Sequence, residues 1–422
     1  MMRRMNIRDR LELRYGERQN DASINKKFKS SQKKSKSHLP KDDISKYVTG
    51  SFIPTADKEI FVARHTYDMD HQHGKYSMDE IANLEDKDLR ILSTGSAKVN
   101  FELNKTLFLD TETTGLAGGS GTAAFLIGIG YFYENKYIVE QFFMRDYDEE
   151  AAILNLLAEK TANFDTIVTF NGRSFDIPLL ETRMILNRID PVFSRLRDID
   201  LLHPARRIWG LRLSDCRLGT LENEILSFQR AESDIPGSLI PGIYFDYLRF
   251  GNADKLYKVF YHNEKDVVSM VGLLHSEYQC LTNPTIEKEM KPLDLYQIGK
   301  YFERSREWTM ALVCLEKASP KLDERYRIDS LIRLSIIHKR NGRWSEAVGI
   351  WKDLVSEDTP FSLQPFVELA MYYEHREKKI ESALIFSTNS LDKIPRRRDS
   401  DIYALEHRIK RLNRKISRKK SK

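Results

Sequence analysis

A chain of 422 residues with 41% hydrophobic content can bury cores for two or three domains. No apolar run approaches the roughly 20 residues of a membrane span, and MMRRMNIRDRLELRY lacks the apolar core of a signal peptide, so a soluble, cytoplasmic protein without membrane contact is expected. The net charge of +6 conceals basic ends, because residues 1–50 carry +8 and residues 396–422 carry +9, which leaves −11 on the 345 residues between them.

Residues 1–50 are rich in Lys and Ser and poor in aromatics, so a disordered basic segment is expected there. Basic ends of this kind suit a polyanion, whose counterions they release, although they also serve simply as solubilising tails. Residues 51–99 form a lead-in with a short hairpin around SFIPTADKEIFVARHTY, where alternating apolar residues flank a polar turn. Strands are predicted over 105–110, 122–133, 136–143 and 165–170, the first three close enough for an antiparallel meander. Helical periodicity marks 149–160, 177–188 and 253–280. Together these describe an α/β domain over 100–282, with a mixed sheet and flanking helices. Cys216, Cys280 and Cys314 lie far apart, form no C-x-x-C pair and read as reduced core residues.

Residues 290–391 repeat. Three segments align on Ala311, Ala347 and Ala383, each 36 residues apart, with aromatics on either side and Gly342 at a turn between helices. They resemble tetratricopeptide repeats, helical hairpins that bury their faces by stacking on one another, in preference to a plain helical bundle. Such repeats imply a protein partner. Residues 396–422 read as one basic helix that frays into a tail.

The chemistry is carried by three acidic elements. In LFLDTETTGL, side chains alternate along the strand, so Asp110 and Glu112 lie on one side of its end. Two close carboxylates repel unless a cation sits between them, and hard oxygen ligands suit Mg²⁺ or Mn²⁺; alone, such a pair is more often a solvated edge or a helix cap. In TFNGRSFDIPLL a polar turn delivers Phe175 and Asp176 to a helix start, where Asp176 also suits an N-cap. In YHNEKDVVSM, His262 and Asp266 are four apart on one helix face beside Val259, Val267 and Met270; by itself this is an ordinary surface pair. Asp198 and Asp200 suit turn contacts, His203, Arg206 and Arg207 suit either phosphate or solvent, and His71 with His73 lacks a third metal ligand nearby. The segment GLAGGSG lacks the Lys-Ser/Thr of a P-loop.

In conjunction and in this order the three elements resemble the DEDD 3′–5′ exonucleases of the ribonuclease H-like superfamily. The segments DIDLLHPARRIWG, CRLGTLENEIL and DIPGSLIPGIYFDYLR are similar to those of its YprB-like group, as is a helical-repeat tail. The resemblance implies a ribonuclease H-like fold and a nuclease that hydrolyses phosphodiester bonds of DNA or RNA with two Mg²⁺ or Mn²⁺ ions. It implies Asp110, Glu112, Asp176 and Asp266 as metal ligands and His262 as the base. Thr113, Gly115, Leu116, Asn171 and Phe175 would meet the substrate, with Gly118 and Gly119 letting the backbone approach the terminal nucleotide. His262 stands four before the last Asp, the tyrosine position of the DEDDy enzymes, while Tyr261 stands at the histidine position of the DEDDh enzymes and is expected to pack inward. The alternative is a catalytically idle, nuclease-derived scaffold that binds nucleic acid or a partner.

Overall fold

The computed structural model describes residues 42–56, 58–82, 92, 101–115, 121–284, 290–356, 360–395 and 399–420. The basic segment 1–41, Leu116, Gly118, Gly119 and residues 396–398 lie outside them. Within 42–50, Ile44 and Val48 are already buried.

A hairpin of β1 (Gly50–Pro54) and β2 (Glu59–Asp68) occupies the predicted lead-in, followed by the small ribbon of β3 (Gln72–His73) and β4 (Tyr76–Ser77). The meander is β5 (Thr106–Thr113), β6 (Ala124–Tyr133) and β7 (Lys136–Phe143). Its second turn needs only two residues, Glu134 and Asn135, both at positive φ (48° and 57°), the conformation that matches strand twist in tight hairpins. After helix α1 (Glu150–Thr161), β8 (Thr166–Thr169) and β9 (Arg197–Asp200) add on parallel to β5, with α2 (Asp176–Leu186) between them. The result is a seven-stranded mixed sheet of order β1-β2-β7-β6-β5-β8-β9. The hairpin β1-β2 extends the meander rather than standing apart, because β2 pairs with β7 over eight residues.

Helices cover both faces. Leu107, Leu109, Ile127 and Ile129 share a buried cluster with Leu154 of α1 and Leu180 of α2. Phe108, Val139 and Val168, on the other face, join Val267 and Val271 of the long helix α5 (Leu256–Thr282), which follows α3 (Leu202–Trp209) and α4 (Ile240–Phe250). Glycines in β6 allow this approach: a Cβ on Gly130 would lie 2.6 Å from Val267 Cγ1, inside contact distance.

Three helical hairpins follow: α6 (Pro292–Arg304) with α7 (Trp308–Ala318), α8 (Glu324–Arg340) with α9 (Trp344–Leu354), and α10 (Leu363–His375) with α11 (Ile380–Lys393). Ala311, Ala347 and Ala383 are each fully buried. The inter-helix turns repeat as well, since Arg306, Gly342 and Lys378 stand 36 apart and all adopt positive φ, so the backbone keeps the period even where glycine is absent. The first hairpin docks on α3, where the Arg207 guanidinium lies 4.6 Å from the Tyr301 ring and Arg212 pairs with Asp294 at 2.9 Å. Arg207 therefore joins the two parts of the chain, while His203 and Arg206 are exposed. Helix α12 (Asp399–Lys420) closes the stack on α11 through Leu405 and Leu412. It is helical to Lys420 instead of fraying, and Arg411 and Lys415 reach the buried Glu374 of α10 at 2.7 and 2.6 Å. Cys280 and Cys314 are buried, but Cys216 is half-exposed on a loop and is no core residue. No helix among the described residues is long and apolar enough to cross a membrane.

Candidate active site

The site forms at the end of β5, beside a bulge between Glu112 and Thr113 that re-aims the strand as it leaves the sheet. Asp110 lies opposite Gly128 of β6, which lies opposite Gln141 of β7. The missing side chain at Gly128 leaves a gap in this row, and Asn263 of α5 fills it. Gln141 is fully buried and donates to both the Phe260 carbonyl and Asn263 Oδ1, each at 2.8 Å. That fixes the Asn263 amide, whose Nδ2 donates to Asp110 Oδ2 at 2.8 Å. One carboxylate oxygen is thereby held in place by a buried chain of two amides, leaving the other oxygen available to a ligand.

Glu112 reaches the same space as His262 and Asp266 on α5, where one ligand atom from each lies within 4.8 Å of the other two. Asp176 enters from the start of α2, its carboxylate accepting the Thr111 hydroxyl. It is the first helical residue and not the N-cap; that position belongs to Phe175, and the Ile177 N–H is instead taken by the Gly172 carbonyl at 2.9 Å. The four carboxylates crowd one another. Burial, then the charges of Asp266, Glu112 and Asp176, hold Asp110 well above the usual carboxylate range, and burial with Asp266 and Asp176 does the same to Glu112. Burial pushes Asp176 up to about 6, against the pull of the Thr111 hydroxyl. A divalent cation relieves this repulsion, and the carboxylate oxygens, hard donors, fit Mg²⁺ or Mn²⁺.

A second polar network backs α5. Arg230 places Nε and Nη2 at 2.7 Å from the two oxygens of buried Glu222, and Nη2 also pairs with Asp266. Ser269 donates to Glu222 at 2.5 Å and receives His73 Nε2 at 2.7 Å. His73 is thus a buried structural group stacked on Phe228, not half of a metal pair with His71. His262 Nδ1 stands 3.0 Å from Asp234 Oδ1 and 3.1 Å from Arg230 Nη1, and Nε2 lies 3.5 Å from Asp266. Only one Nδ1 contact is bonded at a time: a protonated Nδ1 donates to Asp234, a bare one accepts from Arg230. With the proton on Nδ1, Nε2 keeps its lone pair on the Asp266 side.

Tyr261 does not pack inward. It is half-exposed, and its phenol oxygen accepts the Ala231 N–H at 3.0 Å, because the inward face of this turn belongs to Asn263. Asn171 adopts positive φ (64°), in a turn held by Asp200, which accepts its N–H at 2.8 Å and that of Leu202 at 3.1 Å. Asp200 thus makes the turn contacts expected of it, and Asp198 pairs with Arg173 at 3.7 Å. Phe175 is 54% exposed beside Asp176, and the Thr113 hydroxyl donates to the Gly115 carbonyl at 2.9 Å. Asn263, Gln141, Arg230, Glu222 and Asp234 escaped the sequence analysis. Asn263 alone carried a signal there, as a polar residue four from both Val259 and Val267 on an apolar stripe.

A family model described as the RNase H superfamily matches residues 107–277, the segment that contains all the acidic elements. The chain is also 33% identical, over 368 residues, to a protein of Bacillus subtilis (strain 168) called "Uncharacterized protein YprB", covering 86% of this chain and 87% of that one.

Proposed function

The chain belongs to the YprB family of the ribonuclease H superfamily, and from that premise we propose that it is a metal-dependent 3′–5′ exonuclease of the DEDD type, acting on DNA or RNA. The observation that carries this reading is the gathering of Asp110, Glu112, Asp176 and Asp266 at the end of β5, where Glu112 and Asp266 bring ligand atoms within 4.8 Å of each other and of His262, and where burial, then the neighbouring carboxylates, holds Asp110 and Glu112 well above their ordinary range. These four would hold two Mg²⁺ or Mn²⁺ ions, which when bound supply a water made nucleophilic near neutral pH and hold charge on the leaving oxygen. The residues around them have separate tasks. Asn263 holds Asp110, and Thr111 holds Asp176. Arg230 steadies Asp266 from behind. His262 takes the proton of the attacking water at Nε2 while Asp234 receives Nδ1–H. Exposed Phe175 offers a face for a terminal base, and the turn at Asn171 brings backbone near it. The 36-residue period of the helical hairpins supports a tetratricopeptide-like region with a protein partner.

A second reading, an idle scaffold, draws on the Arg230–Asp266 ion pair, in which a guanidinium already neutralises one of the four acids. One experiment separates the two. Single-stranded DNA and RNA labelled at either end are incubated with the protein and Mg²⁺, Mn²⁺ or EDTA, and with the Asp110→Asn variant. EDTA-sensitive shortening from the 3′ end, abolished in a folded Asp110→Asn protein, is expected. Absence of cleavage under every metal, or undiminished activity of Asp110→Asn, overturns the assignment.

A further inference from the structure

Two sets stand out among the basic residues of helix α12. Arg408, Arg411 and Lys415 turn inward to Glu374, whose side chain is fully buried beneath them. Lys410, Arg414 and Arg418 are exposed, and among the described residues none of them is paired with a carboxylate. At 100° per residue these three fall on one stripe with Tyr403 and His407, opposite the buried Leu405 and Leu412. The stripe runs roughly 22 Å from Tyr403 to Arg418 at 1.5 Å per residue. Tyr403 is 72% exposed, an aromatic face with nothing among the described residues packed over it at the start of a cationic track.

We propose that this outward face of α12 binds the backbone of single-stranded nucleic acid, with Lys410, Arg414 and Arg418 on successive phosphates and Tyr403 stacked on a base. This inference deepens the nuclease reading and rests on its nucleic-acid substrate. Charge complementarity carries it: cations left without carboxylate partners, on a chain whose central 345 residues are net acidic, face a polyanion. The pairing of a basic track with an aromatic platform is what single strands require. An anionic membrane fits less well, since the helix spends its apolar side on α11 and has no apolar face left to insert between acyl chains.

The test measures binding apart from cleavage. Fluorescence anisotropy of labelled dT20 and rU20 is recorded with the full chain in EDTA, from 50 to 300 mM salt. For Lys410→Ala/Arg414→Ala/Arg418→Ala the slope of log K against log salt should flatten by about 2, at about 0.7 for each phosphate contact on a single strand, with an unchanged melting transition. Tyr403→Ala should weaken binding about 5- to 150-fold, the range for one stacked base. A lysine replacement at Arg414 and Arg418 should keep the wild-type slope, because it keeps the charges. An unaltered slope in the triple variant, no binding of either oligonucleotide by the wild type, or capture by anionic phosphatidylglycerol vesicles in their place would overturn the proposal. The nuclease reading fails independently, by absent cleavage with Mg²⁺ and Mn²⁺, and that failure leaves these isotherms untouched.

Discussion

Gly128 sits under Asn263, and an alanine there would put its Cβ over Asn263 Oδ1, 2.9 Å from Cγ and 3.0 Å from Nδ2. Asn263 cannot swing clear, because it is fully buried and bonded to Gln141 on one side and Asp110 on the other. Forcing a methyl into a filled core costs about 1–3 kcal/mol, and disturbing the buried bonds of Asn263 adds about 1–3 kcal/mol. The stiffer unfolded chain returns about 0.4–1 kcal/mol. The net loss for Gly128→Ala is therefore about 1–6 kcal/mol, or roughly 2–22 °C in melting temperature at about 2–4 °C per kcal/mol. The clash is specific, so the loss should shrink by at least about 1 kcal/mol in an Asn263→Ala background, which a double-mutant cycle by chemical denaturation reads directly. Metal-dependent cleavage should fall in parallel, since Asp110 loses the amide that orients it. A Gly128→Ala protein as stable as the wild type, or one whose loss is the same with Asn263 removed, would refute the proposal that this gap in the sheet positions Asp110.

Three further outcomes follow from other parts of the molecule. His262→Ala should slow single turnover by about 10²–10⁴ while substrate binding persists, and Tyr261→Phe should change little, because among the described residues its oxygen serves only the Ala231 N–H. Burial lowers His73 from 6.5 to about 3, so the unfolded chain takes up a proton that the folded one refuses; stability from this group is full above pH 6.5 and is lost as pH falls. Between pH 6.5 and 5 the wild type should lose about 2 kcal/mol more than His73→Gln, read from denaturation curves at the two pH values. Glu374→Gln should loosen α12 by about 1–3 kcal/mol, because Arg411 and Lys415 lose their shared carboxylate but can still reach water; faster amide exchange over 399–420 is the measurement.

The order of the acidic elements, the strand periodicity and the 36-residue repeat were all legible in the chain. Each is a local pattern: alternation puts Asp110 and Glu112 on one side of a strand, and a four-residue step puts His262 beside Asp266. The mixed sheet and the helical region after it followed from the same patterns. What no local pattern carries is the contact between distant segments. Arg230 lies in an irregular stretch whose spacing has no period, and only packing brings its guanidinium to Glu222 and Asp266. Gln141 reads as one polar residue in an apolar strand until β7 pairs with β6 and sets it in a row with Gly128 and Asp110. Tyr261 and Asn263 stand two apart on α5, and which of them faced the sheet depended on the gap at Gly128, a feature of β6. The chain alone specified which groups could do chemistry, because residue type and period are written along it. The tertiary structure decided which oxygen of Asp110 is held and which cations of α12 are already paired, because both depend on partners more than 30 residues away.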